Sequence, residues 1–401
     1  MITLIANLGS TSFKFKLFEM SASGTAKVLA SGSADRIGQG NSAWETTIGE
    51  HHDQGQADLP NHAAAIDLHL AQLLKRGAIS SLDQIDAIGF KAVHGGPISG
   101  AVIVDDEVLA TMEQFADVAP AHNPPYIAAM KAFMKKLPEV PQVAAFETAF
   151  HQTIPPARQV YGIPYEWVEK LGIRRYGFHG ASHRYIATRM AEIAPEAKRI
   201  ISLHLGGSCS ITAIQDGRSV AHSFGMTAQS GVFHNNRVGD FDTFALQKLL
   251  KAGMDLDTIF TTLGRKAGLL GLSGVSADMR EVEAAAAAGN ERAKLAIDAF
   301  VETCRQFVGA YLVVLNGADA IVFTGGIGQH GKAIRKAICA DLDFAGIHLD
   351  DERNQNAKGN EESRIEAVNS RTAIWVVPTN EELVIARQAM EVLADRTVSR
   401  G

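Results

Sequence analysis

Cysteine is scarce in this chain, and long apolar runs are missing. Cys209, Cys304 and Cys339 are its only three cysteines. They are too few and too scattered for a disulfide framework or a zinc cluster. No apolar stretch reaches the roughly 18 charge-free residues of a membrane span. The start, Met1-Ile-Thr-Leu-Ile-Ala-Asn7, has no basic segment and only a short apolar run, so it is not read as a signal peptide. Positive charge is not in excess either. With 38 basic and 44 acidic residues the net charge is -6, and a nucleic-acid or anionic-membrane binder would need a basic face. The expectation is a soluble protein of a reducing compartment, the cytoplasm, with neither nucleic acid nor membrane as partner.

Glycine, by contrast, is plentiful at 37 of 401 residues. It clusters after short apolar runs. Ile2 to Ala6 leads to the tip Asn7-Leu-Gly9-Ser10-Thr-Ser12, after which Phe13, Phe15 and Leu17 alternate with Lys14 and Lys16. Period-two alternation marks a half-buried strand, and strand–turn–strand makes a hairpin. The unit recurs: Ile200 to Leu205 leads to Gly206-Gly207-Ser208 and then Ser210 to Ile214. A second pair also matches. Asp86-Ala-Ile-Gly-Phe90 precedes His94-Gly95-Gly96, and Asp319-Ala-Ile-Val-Phe323 precedes Gly325-Gly326-Ile327-Gly328. This reads as an internal duplication, two similar α/β domains facing each other across a cleft.

Helical patterns lie between. Glu291 to Asn316 is amphipathic, with Leu295, Ala299, Phe300, Cys304, Phe307 and Val308 as its apolar positions. Thr379-Asn380-Glu381-Glu382 has capping-box spacing and opens a last helix to about Ala394, with a frayed tail expected after Asp395. The polar stretch Glu45 to His62 reads as a surface excursion.

Glycine turns after strands expose backbone N–H groups and let phosphate oxygens approach. Two Gly/Ser tips and two glycine loops, split between the halves, favour a phosphate-binding cleft. Lys14 is either a phosphate neutraliser or an outward strand lysine. Gly326-Ile-Gly-Gln-His-Gly331, with Asp350 about 20 residues on, also fits a dinucleotide fingerprint and raises the rival reading of an NAD-dependent oxidoreductase. His179 and His183 stand four apart, but no Glu follows the first, so the metalloprotease pattern fails.

Together the motifs resemble the acetate kinase family. The matching segments are Asn7-x-Gly9-Ser10-x-Ser12-x-Lys14, His94-Gly95-Gly96, His122-Asn123-Pro124 and Thr148 to Thr153. Further on come Arg174 to Gly180, Ser182 to Tyr185, Asp278-Met279-Arg280 and Thr379 to Glu382. The resemblance implies a duplicated RNase H-like (actin-like ATPase) fold with two domains around a central cleft. It also implies ATP/ADP as co-substrate, Mg2+, short carboxylates as acceptors and a homodimer. The expected division is residues 1–150, with the last helix 382–401, as the acyl and phosphate side. Residues 151–381 are then the nucleotide-binding domain.

The resemblance also distributes roles. Asn7 and Glu381 hold magnesium. Ser10, Ser12 and Lys14 lie near the transferred phosphate, and His179 and Arg237 bind the phosphoryl group in flight. Glu147 and Lys91 stand at further catalytic positions. His204, Gly206 and Gly207 meet the nucleotide phosphates, while Asp278, Met279, Arg280, Gly326, Ile327 and Gly328 surround the adenosine. Val93, Phe178, Ala121 and Ala228 stand beside the acyl chain. Glu382 reads as the capping-box acid.

This chain departs from the family pattern at several of these places. Lys91 replaces Arg and lacks its bidentate fork, Glu147 replaces Asp, and Gly207 replaces Asn. Ala121 and Ala228 replace Leu and Pro. His234-Asn235-Asn236 replaces Met-Gly-Thr, and Gln329-His330 replaces Glu-Asn. Two readings follow. One is a carboxylate kinase with a roomier pocket, for propionate or a larger acid. The other is a nucleotide-binding paralogue with weak or no kinase activity.

Overall fold

The alternation at Phe13, Phe15 and Leu17 becomes the buried face of a strand in the computed structural model, which describes residues 1–119 and 122–398. The chain divides into two compact units, Met1–Ala149 with Asn380–Gly401, and Phe150–Thr379.

The first unit is built on strands β1 (Ile2–Leu8), β2 (Ser12–Met20), β3 (Ala26–Asp35), β4 (Ser42–Ile48), β5 (His51–Ala57), β6 (Ala87–Ala92), β7 (Ala101–Ile103) and β8 (Gln142–Phe146). Their order across the sheet is β5-β4-β3-β2-β1-β6-β8-β7. β1 pairs antiparallel with β2, with Asn7 opposite Lys14, and parallel with β6. One face of the sheet carries the main core under helices His62–Lys75 and Asn123–Lys136. The other face packs Ile5 and Phe18 against Ile385 and Ala386 of the C-terminal helix Glu381–Val398. Burial on both faces explains why β8 has no polar alternation and is buried at every position.

The second unit holds β9 (Arg199–Leu205), β10 (Cys209–Gln215), β11 (Arg218–His222), β12 (Ala320–Thr324), β13 (Ser363–Arg364) and β14 (Ala373–Val376) in the order β11-β10-β9-β12-β14-β13. Within it β9 pairs antiparallel with β10 and parallel with β12, and β12 parallel with β14. The centre β3-β2-β1-β6-β8 of the first sheet therefore has its counterpart in β11-β10-β9-β12-β14. Even the aspartates repeat. Asp86, before β6, accepts from Ile2 N at 2.6 Å, and Asp319, before β12, accepts from Arg199 N at 2.8 Å. Each terminates the first free donor of the neighbouring strand. Asn7 and His204 hold equivalent places, two residues before their respective Gly/Ser tips.

Three local readings change. The polar stretch from Glu45 forms the end of β4 and all of β5, the outer strands of the sheet. With hardly any apolar face, β5 gives no alternation to read. Leu295 points to solvent; Ala293, Ala296, Phe300, Cys304 and Val308 form the buried stripe of helix Glu291–Leu315. Finally, the C-terminal helix is capped by Asn380, whose Oδ1 accepts from Leu383 N at 3.3 Å. Glu382 does not close a capping box. It pairs with Lys16 across the sheet at 3.0 Å, and the helix continues to Val398.

Candidate active site

In the first unit the tip after β1 is closed by Gly9 N donating to Ser12 O at 2.9 Å. The His62 ring lies against the Gly9 carbonyl at 3.0 Å. Ser10 stands exposed at the tip, and Lys14 and Lys16 project from the opposite face of β2 to the phenylalanines. They line one polar cavity with Ser33, Asp35, Glu45 and Glu382. Lys14 is thus an outward strand lysine that also faces a cavity.

Asn7 is held by Tyr126, whose hydroxyl donates to Asn7 Oδ1 at 3.2 Å and accepts from Leu8 N at 3.0 Å. Lys91, on β6, forms an ion pair with Glu381 at the start of the C-terminal helix. Burial opposes charge on Lys91, but Glu381 and then buried Glu147 outweigh it, and the ammonium is held above its ordinary range. Burial pushes the Tyr126 phenol up. Asn7, Glu147 and Glu381 give an all-oxygen donor set, the kind a hard divalent cation takes. Val93, at the end of β6, packs partly buried on the core. Ala121 lies outside the described residues.

In the second unit His179 sits in the left-handed backbone region (φ 56°, ψ 31°), where it opens helix Gly180–Ile193. A non-glycine residue held there is strained, and such strain collects at functional sites. Its Nδ1 lies 2.8 Å from Ser210 Oγ, and its ring is 4.3 Å from that of His204. His204 Nδ1 in turn meets Ser182 Oγ at 2.8 Å. Behind them His183 is fixed between Ser202 and Ser210, both at 2.9 Å. His151 Nδ1 meets Ser219 Oγ at 2.9 Å, and His222 Nδ1 meets Thr212 Oγ1 at 2.7 Å. His234 Nδ1 accepts from Cys209 N at 2.7 Å. Burial lowers His151 to about 4 and His234 to about 3, and holds His183 and His222 well below the usual range. These four are neutral hydrogen-bonding supports. Among the described residues no group of three His, Cys, Asp or Glu is arranged to hold a metal.

Arg237 is half-buried beside the second tip. Its Nη1 donates to the Ala228 carbonyl at 3.0 Å and reaches Ser208 Oγ at 3.4 Å. Among the described residues no carboxylate lies within ion-pair distance, and burial holds the guanidinium below its ordinary value. A desolvated cation without a counter-ion disfavours itself and favours an incoming anion. Phe178, which the family resemblance places at the acyl chain, is buried. Its N–H donates to His222 at 3.1 Å, and its carbonyl faces His151 at 2.8 Å.

Gly206, Gly207, Asn235, Asp278, Met279, Arg280, Gly326 and Ile327 line one cavity of about 460 Å³. Glu283, His330 and Gly331 line it too, and the resemblance did not name these three or Asn235 as site residues. Gly328 is buried behind it. Asp278 caps the helix Met279–Ala287 by accepting from Arg280 N at 2.9 Å, and it pairs with the Arg280 side chain. Asp350, which the dinucleotide reading needs, is consumed as the cap of helix Asp351–Asn356, accepting from Arg353 N at 2.9 Å. Tyr126, Ser182 and Ser210 were not singled out from sequence, although Tyr126 stands three residues after Asn123 and Ser182 lies between two of the quoted histidines.

Two sheets of one topology, glycine tips in each, and an anion-seeking arginine at one tip define a phosphotransferase of the actin-like ATPase class. The chain belongs to the acetokinase family, whose model matches residues 2–387. It is 41% identical over 394 residues to an acetate kinase of Geobacillus sp. (strain WCH70), covering 97% of this chain and 98% of that one. It is 42% identical over 391 residues to an acetate kinase of Shouchella clausii, covering 96% and 98%. Among solved structures it matches a Porphyromonas gingivalis acetate kinase with TM-score 0.89 and 39% identity, covering 98% of this chain and 99% of that chain. It also matches a Francisella tularensis propionate kinase with TM-score 0.90 and 36% identity, covering 98% and 99%. These likenesses give the duplicated RNase H-like fold. They do not support the oxidoreductase or weak-paralogue readings.

Proposed function

We propose that this chain transfers the γ-phosphoryl group of ATP to a short-chain carboxylate, reversibly, giving an acyl phosphate. The observation that carries the reading is Arg237, half-buried beside the second Gly/Ser tip with no carboxylate partner among the described residues. Phosphoryl transfer asks little covalent chemistry of a protein. It needs positioning and donors for charge spread over three equatorial oxygens. Arg237 supplies two N–H faces for that charge. His179, pinned by Ser210, supplies a further polar contact whose direction is fixed in advance.

His204, Gly206 and Gly207 contact the nucleotide phosphates; Asp278, Met279, Arg280 and Gly326 to Gly328 surround the adenosine. Ser10, Ser12 and Lys14 serve the transferred phosphate. Asn7 and Glu381 would hold Mg2+, which when bound would draw charge off the phosphate oxygens, with Glu147 at a catalytic position beside them. Lys91 positions Glu381 by its ion pair. Val93, Ala121, Phe178 and Ala228 serve the acyl chain. Its free, buried cysteines suit a reducing cytoplasm. We also propose a homodimer, supported by the run of exposed apolar side chains from Phe241 to Phe260.

The test is ATP-dependent hydroxamate formation over a panel of carboxylic acids. Acyl phosphate is expected, with kcat/KM for propionate or butyrate at or above that for acetate, since Ala121 and Ala228 are small. No hydroxamate from any acid would end the kinase reading. A clear preference for acetate would end the roomier pocket.

A further inference from the structure

A side chain outside the expected set lies in the nucleotide cavity. Gly207, at the tip between β9 and β10, presents no side chain there. A Cβ built on it would lie 3.6 Å from Asn235 Nδ2. The Asn235 carboxamide therefore lies in van der Waals contact with the point where a residue-207 side chain would begin, and it lines the same cavity as Gly206, Gly207 and Gly326. The Asn235 backbone is fixed there from both sides. Asn235 N donates to Gly207 O at 3.4 Å, and Asn235 O accepts from Leu270 N at 2.8 Å. Its neighbour His234 accepts from Cys209 N, and Leu269 N donates to His234 O at 2.9 Å. The close approach demands glycine at position 268. Its φ is +61°, and a Cβ there would meet His234 O at 2.1 Å. The backbone is held while the side-chain amide is unused: among the described residues Nδ2 makes no hydrogen bond, and Oδ1 is buried without a partner.

We infer that Asn235 donates its carboxamide N–H to a nucleotide phosphate oxygen, supplying from the neighbouring loop the side-chain donor that Gly207 lacks. The site rests on the kinase reading above and deepens it. An Asn side chain at the tip and glycine at 235 would be the same arrangement with donor and glycine exchanged. In this chain the donor comes from residue 235, so the tip stays free of a side chain and opens to the phosphates.

The test is ADP and adenosine binding by calorimetry, with catalysis followed separately. Asn235→Gly should weaken ADP binding about ten- to hundredfold, as expected for loss of a hydrogen bond to a charged group. It should leave adenosine binding unchanged, raise the KM for ATP, and leave the thermal midpoint where it was. Asn235→Asp, the same shape with a negative charge, should bind ADP more weakly still. The exchange Gly207→Asn with Asn235→Gly should recover ADP affinity to within about threefold of the parent. Unchanged ADP affinity in Asn235→Gly, an equal loss for adenosine, or no recovery in the exchanged double variant would each overturn the inference. A parent protein that forms no acyl phosphate would instead overturn the kinase reading, so the two failures are distinct.

Discussion

At the scale of single residues, Arg237 and the buried histidines have opposite tasks. Arg237 keeps its charge although burial opposes it, and its partners, the Ala228 carbonyl and Ser208, are neutral. Removing it costs no ion pair among the described residues. Arg237→Ala should therefore fold normally while kcat for acyl phosphate formation falls about a hundred- to a thousandfold. A matched loss in thermal midpoint would show a structural role instead. The histidines give up charge for hydrogen bonds. His151 and His234 have folded-state values lowered to about 4 and about 3, against about 6.5 in the unfolded chain. As pH falls below 6.5 the unfolded state binds protons first, so stability is lost from there down toward 4. For each histidine, every tenfold loss of proton affinity on folding is worth about 1.4 kcal/mol. The thermal midpoint should drop steeply between pH 6.5 and 4.5, and a flat profile there would contradict the buried, neutral assignment.

At the scale of elements, the C-terminal helix shows how a correct boundary concealed a different contact pattern. The spacing Thr379-x-x-Glu382 is that of a capping box, and the helix does begin there. Yet Asn380 caps it, while Glu382 turns to Lys16 on β2. Glu381, the residue between them, is left to meet Lys91 on β6. One helical turn thus ties the C-terminal segment to two strands of the first sheet. Asn380→Ala should lower stability by about 1 kcal/mol, while Thr379→Val should change it far less. The reverse order in a denaturant titration would restore Thr379 as the cap. The polar hairpin β4–β5 illustrates the opposite limit, because strands at a solvated edge need no apolar alternation to pair.

At the scale of the whole molecule, the duplication repeats one turn arrangement in each unit. Both units place a Gly/Ser tip at the end of an antiparallel pair and a glycine loop after a parallel crossover strand. The chain also exposes large apolar side chains that no core takes up. Phe244 is 77% and Phe260 59% exposed, with Leu250, Met254 and Leu256 nearby. Contiguous exposed apolar patches on soluble proteins mark interaction surfaces. Phe244→Glu with Phe260→Glu should convert a dimer to a folded monomer in light scattering. A protein that is monomeric from the start would remove the dimer proposal.

The sequence by itself determined the two hairpins, the crossover strands and the repeat between halves. Each is written in local periodicity and in turn chemistry, which operate over a few residues. It also carried the motifs by which the family resemblance was drawn. Only the tertiary structure decided which side chains meet. Tyr126 lies 119 residues from Asn7 and Lys91 some 290 from Glu381, and no local pattern encodes such pairs. The same holds for Asn235: in sequence it is one polar residue in a loop, and packing alone brings its amide over Gly207. Register and burial set those contacts, because they depend on how distant segments fill a shared volume.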